Sequence, residues 1–265
     1  MPAESMLPPP DRPPVQDDHE IEWQLATDDL APARRWLGAH VSLGGLRIAP
    51  LPPQQLHDTY LDTSDWRVLR SGFALRVRRQ EGRAEATLKS LCSAQTHVAD
   101  RREITETLAD GAAAPAQAAG PVGARLREVL AGQPLRALFT VHTLRERFAV
   151  RQTEQDDAIG EVALDETRLL GSDQEPLGEL RRVEVEVRGG GPPAALAPLV
   201  EALQRSCGLT PAPENKFAAG LRATALTPPS KAQCAPAESS ADIAVRDGLA
   251  NQTRNTIATN KSPDT

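Results

Sequence analysis

The chain has 265 residues, 40% hydrophobic but only 3% aromatic, so its core has to be built from Leu, Val, Ala and Ile. A formal net charge of -6 argues against nucleic acid as a partner, because gripping a phosphate backbone needs a basic face. Cys92, Cys207 and Cys234 are too scattered for a disulfide framework or structural zinc, and no apolar run is long enough to span a membrane, so a cytoplasmic protein without membrane partners is expected.

Residues 1–17 are crowded with proline and read as a disordered leader, without the basic-then-apolar order of a secretory signal. A strand is expected over Glu20–Leu25, then a helix over Leu30–Ala39 opened by Asp28 and Asp29. Four strands follow, over Gln54–Asp62, Phe73–Arg79, Ala84–Ser90 and Arg101–Thr107. A helix over Val122–Leu130 behind Pro121 leads into strands over Leu138–Gln152, Gly160–Leu170 and Gly178–Arg188. Helices over Ala194–Ser206, behind Pro192 and Pro193, and over Glu214–Arg222 complete a single domain spanning 18–226. Residues 227–265 are polar and small, and read as a disordered tail. Strands that follow one another this closely favour hairpins and an antiparallel sheet.

What alternates with the apolar residues is informative. Glu20, Glu22 and Gln24 share one face of their strand, as do Arg76 with Arg78, Glu85 with Thr87 and Lys89, and Arg145 with Arg147. Glu161 pairs with Asp165 in the same way, and Glu184 with Glu186 and Arg188. For one strand alone, a sheet with one packed and one solvated face suffices. Charged sets on six strands, most of them holding a same-sign pair, do not fit that picture, since like charges two residues apart repel unless an opposite charge lies between them. Acidic sets suit divalent cations, while Arg and Lys suit phosphate oxygens. Only four lysines occur, and two of them, Lys89 and Lys216, fall in or beside these sets. The fold class expected is α+β, mainly β: a closed antiparallel barrel of about eight strands with peripheral helices and a wet, charged bore. Trp36, Leu37, Leu126 and Val129 would belong to the helical covering. Arg101 and Arg102 read as surface or rim charges, and His57 and His142 as strand-surface residues.

The order of motifs resembles the CYTH family, which includes thiamine triphosphatases, inorganic triphosphatases and class IV adenylate cyclases. Glu20-Ile21-Glu22-Trp23-Gln24 resembles its N-terminal ExExK motif, and HDTYLDTSDWRVLRSGFALRVRR the segment with a D-T pair, a short helical turn and LRxR. ATLKS, RREITETL, LFTVHTLRERFAV, EVALDE, VEVEV and ENKFAAGL follow in the family's order, so the resemblance runs from Glu20 to Arg222. It implies a tunnel fold, a small triphosphate-bearing substrate and Mg²⁺ or Mn²⁺. Carried over by position, Glu20, Glu22, Asp165, Glu184 and Glu186 are the expected metal ligands, with Glu20, Glu22, Glu184 and Glu186 catalytic. Arg76, Arg78, Lys89, Arg145 and Lys216 are the expected substrate-binding residues, with Arg147 able to replace Arg145.

The sequence departs from the pattern at Gln24, where the family has a lysine. A neutral amide can bond a phosphate oxygen but carries no charge, so weaker binding or slower turnover is expected. Thr105 replaces an acidic residue often seen in that region, and Asp18-His19 stands where class IV cyclases have an HF pair, which ranks cyclase activity below hydrolysis. The expected function is hydrolysis of inorganic triphosphate. The alternative is a non-catalytic module that binds polyphosphate or a nucleotide. The sequence leaves the oligomeric state open, with a homodimer as one option.

Overall fold

A computed structural model describes residues 16–91, 98–109, 114–153 and 156–229. The leader and tail fall almost entirely outside them. The elements run β1 (Gln16–Ala26), α1 (Ala31–Ala39), β2 (Ser42–Leu43), β3 (Leu46–Asp62), α2 (Arg67–Arg70), β4 (Phe73–Gln80), β5 (Arg83–Ser90) and β6 (Val98–Leu108). After a 3-10 turn (Pro115–Gln117) come α3 (Pro121–Leu130), β7 (Arg136–Gln152), β8 (Ala158–Leu170), β9 (Pro176–Val187), α4 (Pro193–Cys207), β10 (Thr210–Pro211) and α5 (Lys216–Ala223). All the expected strands and helices are present.

The sheet order is β1-β6-β5-β4-β3-β7-β8-β9, every pairing is antiparallel, and β9 returns to β1, so the sheet closes on itself. Closure leaves these eight strands without a free edge, while short β2 and β10 add onto β3 and β1. The period-2 alternation sends charged residues inward and apolar ones outward. On β8, for example, Glu161 and Asp165 face the bore while Val162 and Leu164 pack outside, and all four are buried.

The outward apolar stripes are covered by helices. Helices α1 and α4 pack Leu37, Leu196, Leu199 and Leu203 against Val162, Leu164, Val183 and Val185. Helix α3 lays Val122 and Leu126 over Leu75, Val77, Ala86 and Leu88. Pro121 and Pro193 open α3 and α4, where a missing N–H costs nothing. Glu106 of β6 accepts from the backbone N–H groups of Gly120 and Gly123, which ties the start of α3 to the barrel wall. Asp29 accepts from the Ala31 N–H at 2.8 Å, as the sequence suggested for α1.

Helix α5 plugs one end of the barrel. Asn215 caps it by accepting from the Ala218 N–H at 2.9 Å, and Phe217 packs with Tyr60 and Phe139. Gly220 is what lets the helix seat there: a Cβ at that position would lie 2.1 Å from the Phe139 ring. One strand is longer than expected. β3 begins at Leu46 rather than Gln54, with a register shift against β7 between Leu51 and Gln54, where Pro52 and Pro53 cannot donate to the ladder.

Candidate functional site

The bore encloses a cavity of ≈ 880 Å³. Its wall brings together residues from distant stretches of sequence: Glu20, Glu22 and Gln24 from β1, Arg76 and Arg78 from β4, Lys89 from β5, Arg145 from β7, Glu184 and Glu186 from β9, and Lys216 from α5. Arg147 and Asp165 do not line the cavity; Arg147 is bound to Glu161 at 2.6 and 3.0 Å, and Asp165 lies under Arg145 and Lys216.

Three ion-pair networks hold the wall. In the first, the Lys89 ammonium donates to Glu20 at 2.9 Å and contacts Glu103, while Arg101 reaches Glu22 and Glu20. In the second, Arg145 is bidentate to Asp165 at 2.7 and 2.6 Å and also reaches Glu184, and Lys216 bridges Asp165 at 2.5 Å and Glu184 at 2.9 Å. In the third, Arg78 is bidentate to Asp58 at 2.7 and 2.8 Å. Burial alone would raise these carboxylates. The neighbouring cations reverse that, holding Glu20 and Asp58 at about 2 and Glu184 well below the usual carboxylate range.

Arg101 is therefore a correction to the sequence reading. It is buried in the bore, not at the surface or rim. The signal was present, since Ile104 and Leu108 face outward and the same alternation turns Arg101, Glu103 and Thr105 inward. Asp58 and Arg182 were also missed: Asp58 stands in a strand without a charged set, and Arg182 extends the Glu184–Glu186 face of β9 by one step but reads as half of an exposed Arg181-Arg182 pair.

Two carboxylates, Glu22 and Glu186, are crowded by like charge, although Arg101 also reaches Glu22. Glu22, Glu186 and Glu161 lie directly opposite one another across β1, β9 and β8, where like charges destabilise a sheet. Glu161 has Arg147, and Glu186 has only the half-exposed Arg188 at 2.7 Å. Burial raises both Glu22 and Glu186, and the charge of nearby carboxylates (Glu20 and Glu184 around Glu22, Glu20 and Glu22 around Glu186) helps push each to about 7. Among the described residues no three His, Cys, Asp or Glu side chains form a ready cation cage. Two crowded carboxylates beside an anion pocket nonetheless fit Mg²⁺ or Mn²⁺, since Mg²⁺ typically takes one or two carboxylates and completes its shell with water and substrate phosphates.

The opposite side of the cavity has donors to spare. The buried Arg76 guanidinium comes no closer than 3.9 Å to Asp58, bonds Thr87 at 3.3 Å, and its Nε has no acceptor. On the Glu22 side, the Arg101 Nε is likewise unpaired while its other end reaches Glu22. A buried guanidinium with unused N–H groups is costly unless an anion completes it.

At the far wall, the Gln24 amide donates to Glu22 at 2.6 Å and accepts from Arg182 at 3.1 Å. On the barrel's outside, His57 and His142 stack edge to face at 4.4 Å on adjacent strands, matching the strand-surface reading. No helix in the described residues is long and apolar enough to cross a membrane.

Residues 35–220 match the family model for the CYTH domain. No curated protein matches the chain. Among solved structures, a protein of Bacillus halodurans titled as a provisional adenylate cyclase is 23% identical, covering 76% of this chain and 96% of its own, with a TM-score of 0.50. A Hippeastrum protein, a candidate adenylyl cyclase whose title reports a dominant triphosphatase activity, is 19% identical, covering 77% and 95%, with a TM-score of 0.54. At these identities the two structures bear on the fold, which they share with this chain.

Proposed function

The chain belongs to the CYTH domain family, and on that premise we propose that it is a metal-dependent hydrolase of a triphosphate compound, with inorganic triphosphate as its substrate. The observation that carries this reading is the cavity itself: Arg76, with unused donors, faces a bore whose other wall crowds the carboxylates Glu22 and Glu186 directly opposite one another.

Arg76, Arg78, Lys89 and Arg101 would grip the phosphate oxygens, with Lys89 exchanging a carboxylate partner for one of them. Arg145 and Lys216 would hold the far end of the chain while keeping Glu184 ionised. A divalent cation held by Glu22 and Glu186, with Glu20 and Glu184 beside them, would neutralise phosphate charge and supply a water of lowered pKa. Phosphoryl transfer needs positioning and charge stabilisation more than covalent help, and a wall of fixed charges provides both. The catalytic unit is residues 18–226.

Inorganic triphosphate is favoured because the aromatic rings that touch the cavity from its plugged end, Tyr60 and Phe217, are packed into the plug and present no stacking platform for a base. The dominant triphosphatase activity named for the Hippeastrum protein favours hydrolysis over cyclisation. A second reading, a polyphosphate-binding module without turnover, is favoured by Gln24 in place of the motif lysine. Phosphate release from inorganic triphosphate, thiamine triphosphate and ATP, each with Mg²⁺ and Mn²⁺, separates the readings. Fastest release from inorganic triphosphate is expected, with no cyclic AMP from ATP. Tight binding without release from any of them would leave the binding module.

A further inference from the structure

Gln24 is not simply a lost charge. A glutamine amide has a donor end and an acceptor end, and in an anion-binding wall only the donor end is useful. Here the two ends are told apart by their neighbours. The Oε1 atom accepts from the Arg182 guanidinium at 3.1 Å, and the Nε2 atom donates to Glu22 at 2.6 Å. The flipped amide would set NH₂ against guanidinium and carbonyl against carboxylate, so this orientation is fixed by the pair around it.

Arg182 is itself unusual. It is 2% exposed and contributes nothing to the cavity surface, yet among the described residues no carboxylate lies within ion-pair distance of it. Its cross-strand partner, Asp165, is already shared by Arg145 and Lys216. A buried cation without a contact anion is expensive, and its field extends through Gln24 into the bore.

We propose that Gln24 and Arg182 together replace the single lysine of the family's motif, with Gln24 presenting the donor at the wall and Arg182 supplying the positive charge from behind it. Arg182 is then a positioning residue: it sets the amide's orientation and, through it, the place of Glu22. This rests on the reading that a triphosphate occupies the bore.

The consequence runs against the expectation from sequence. A lysine at position 24 would point its ammonium at the Arg182 guanidinium, so Gln24→Lys alone should not help. Calorimetric titration with inorganic triphosphate, without metal and then with Mg²⁺, tests this in wild type, Gln24→Lys, Arg182→Met, Arg182→Lys and the Gln24→Lys/Arg182→Met double variant. Arg182→Met should weaken binding about tenfold, the loss of one charge-assisted donor arrangement, without lowering thermal stability, because it removes an unpaired buried charge. Arg182→Lys should recover part of the loss, and the double variant should return to within roughly threefold of wild type. With Mg²⁺ and turnover, the Arg182→Met loss should fall mainly in KM.

Tighter binding by Gln24→Lys alone would overturn the proposal, as would a double variant no better than Arg182→Met. Gln24 is itself only half-buried, so Gln24→Lys, once circular dichroism shows it folded, decides the matter by its affinity even if Arg182→Met folds poorly. Absence of triphosphate binding by wild type would instead sink the functional reading on which the pair depends.

Discussion

Replacing Lys216 with methionine keeps the aliphatic stem and removes the ammonium that joins the α5 plug to the barrel wall. In the native protein that ammonium lies 2.5 Å from Asp165 and 2.9 Å from Glu184. Without it, both carboxylates must share Arg145, and Asp165 is 0% exposed, so water cannot make up the difference. Breaking a buried ion pair on one side costs roughly 3–5 kcal/mol. For a domain of this size, that corresponds to a melting temperature lower by roughly 6–20 °C. The effect should depend on pH with a definite sign. Burial raises Glu184, but Lys216 and Arg145 hold it far below its ordinary 4.5, so its contribution is present above that value and disappears as pH falls through the native one. The variant lacks much of that depression. The gap between wild type and Lys216→Met should therefore be full at pH 7 and narrow as pH drops below 4.5. Thermal unfolding followed by circular dichroism at the two ends of that range measures both quantities. A melting temperature within about 2 °C of wild type at pH 7, or a gap equal at both ends, would refute the claim that this network is tightly coupled.

Three further outcomes follow from the same geometry. Arg76→Ala should weaken inorganic triphosphate binding by at least about tenfold in calorimetric titration, while Asp58 keeps its bidentate partner Arg78 and stability changes little. Gly220→Ala should lower stability by about 1–3 kcal/mol in urea unfolding, because the new methyl group meets the fully buried Phe139 ring. Glu22 and Glu186, both raised to about 7, keep protons in the folded state that the unfolded chain has released. Stability of the metal-free protein should therefore decline as pH rises from 4.5 to about 7, with Mg²⁺ or Glu186→Gln flattening the decline in urea titrations across that range.

Much of this was legible in the chain because period-2 alternation is a strong signal when the inward residues are charged. Once β1, β4, β7 and β9 each put same-sign pairs on one face, a closed bore was the arrangement that gave them partners. The order of motifs then matched these strands to a family with a tunnel fold. What the sequence could not provide was pairing across strands. That Arg145 and Lys216 would neutralise Asp165 and Glu184 depends on the register of β7, β8 and β9 and the seating of α5, and that Glu22 and Glu186 would be crowded together depends on register between strands more than a hundred residues apart. Arg101 was misread because a double arginine looks like surface charge until the phase of Ile104 is consulted. The first half of β3 was missed because three prolines within it obscure any strand pattern. Arg182 was passed over for the same reason as Arg101: a double arginine looks like surface charge until its phase with Glu184 and Glu186 separates it from exposed Arg181.

The central claim is that the charged bore cleaves the triphosphate it binds. ³¹P NMR of inorganic triphosphate incubated with the purified protein and Mg²⁺ or Mn²⁺, beside Glu186→Ala and a metal-chelated control, tests it most directly. The account predicts that triphosphate resonances are replaced by those of pyrophosphate and phosphate with wild type alone. Unchanged triphosphate with wild type at high protein concentration, or equal conversion by Glu186→Ala, would contradict it.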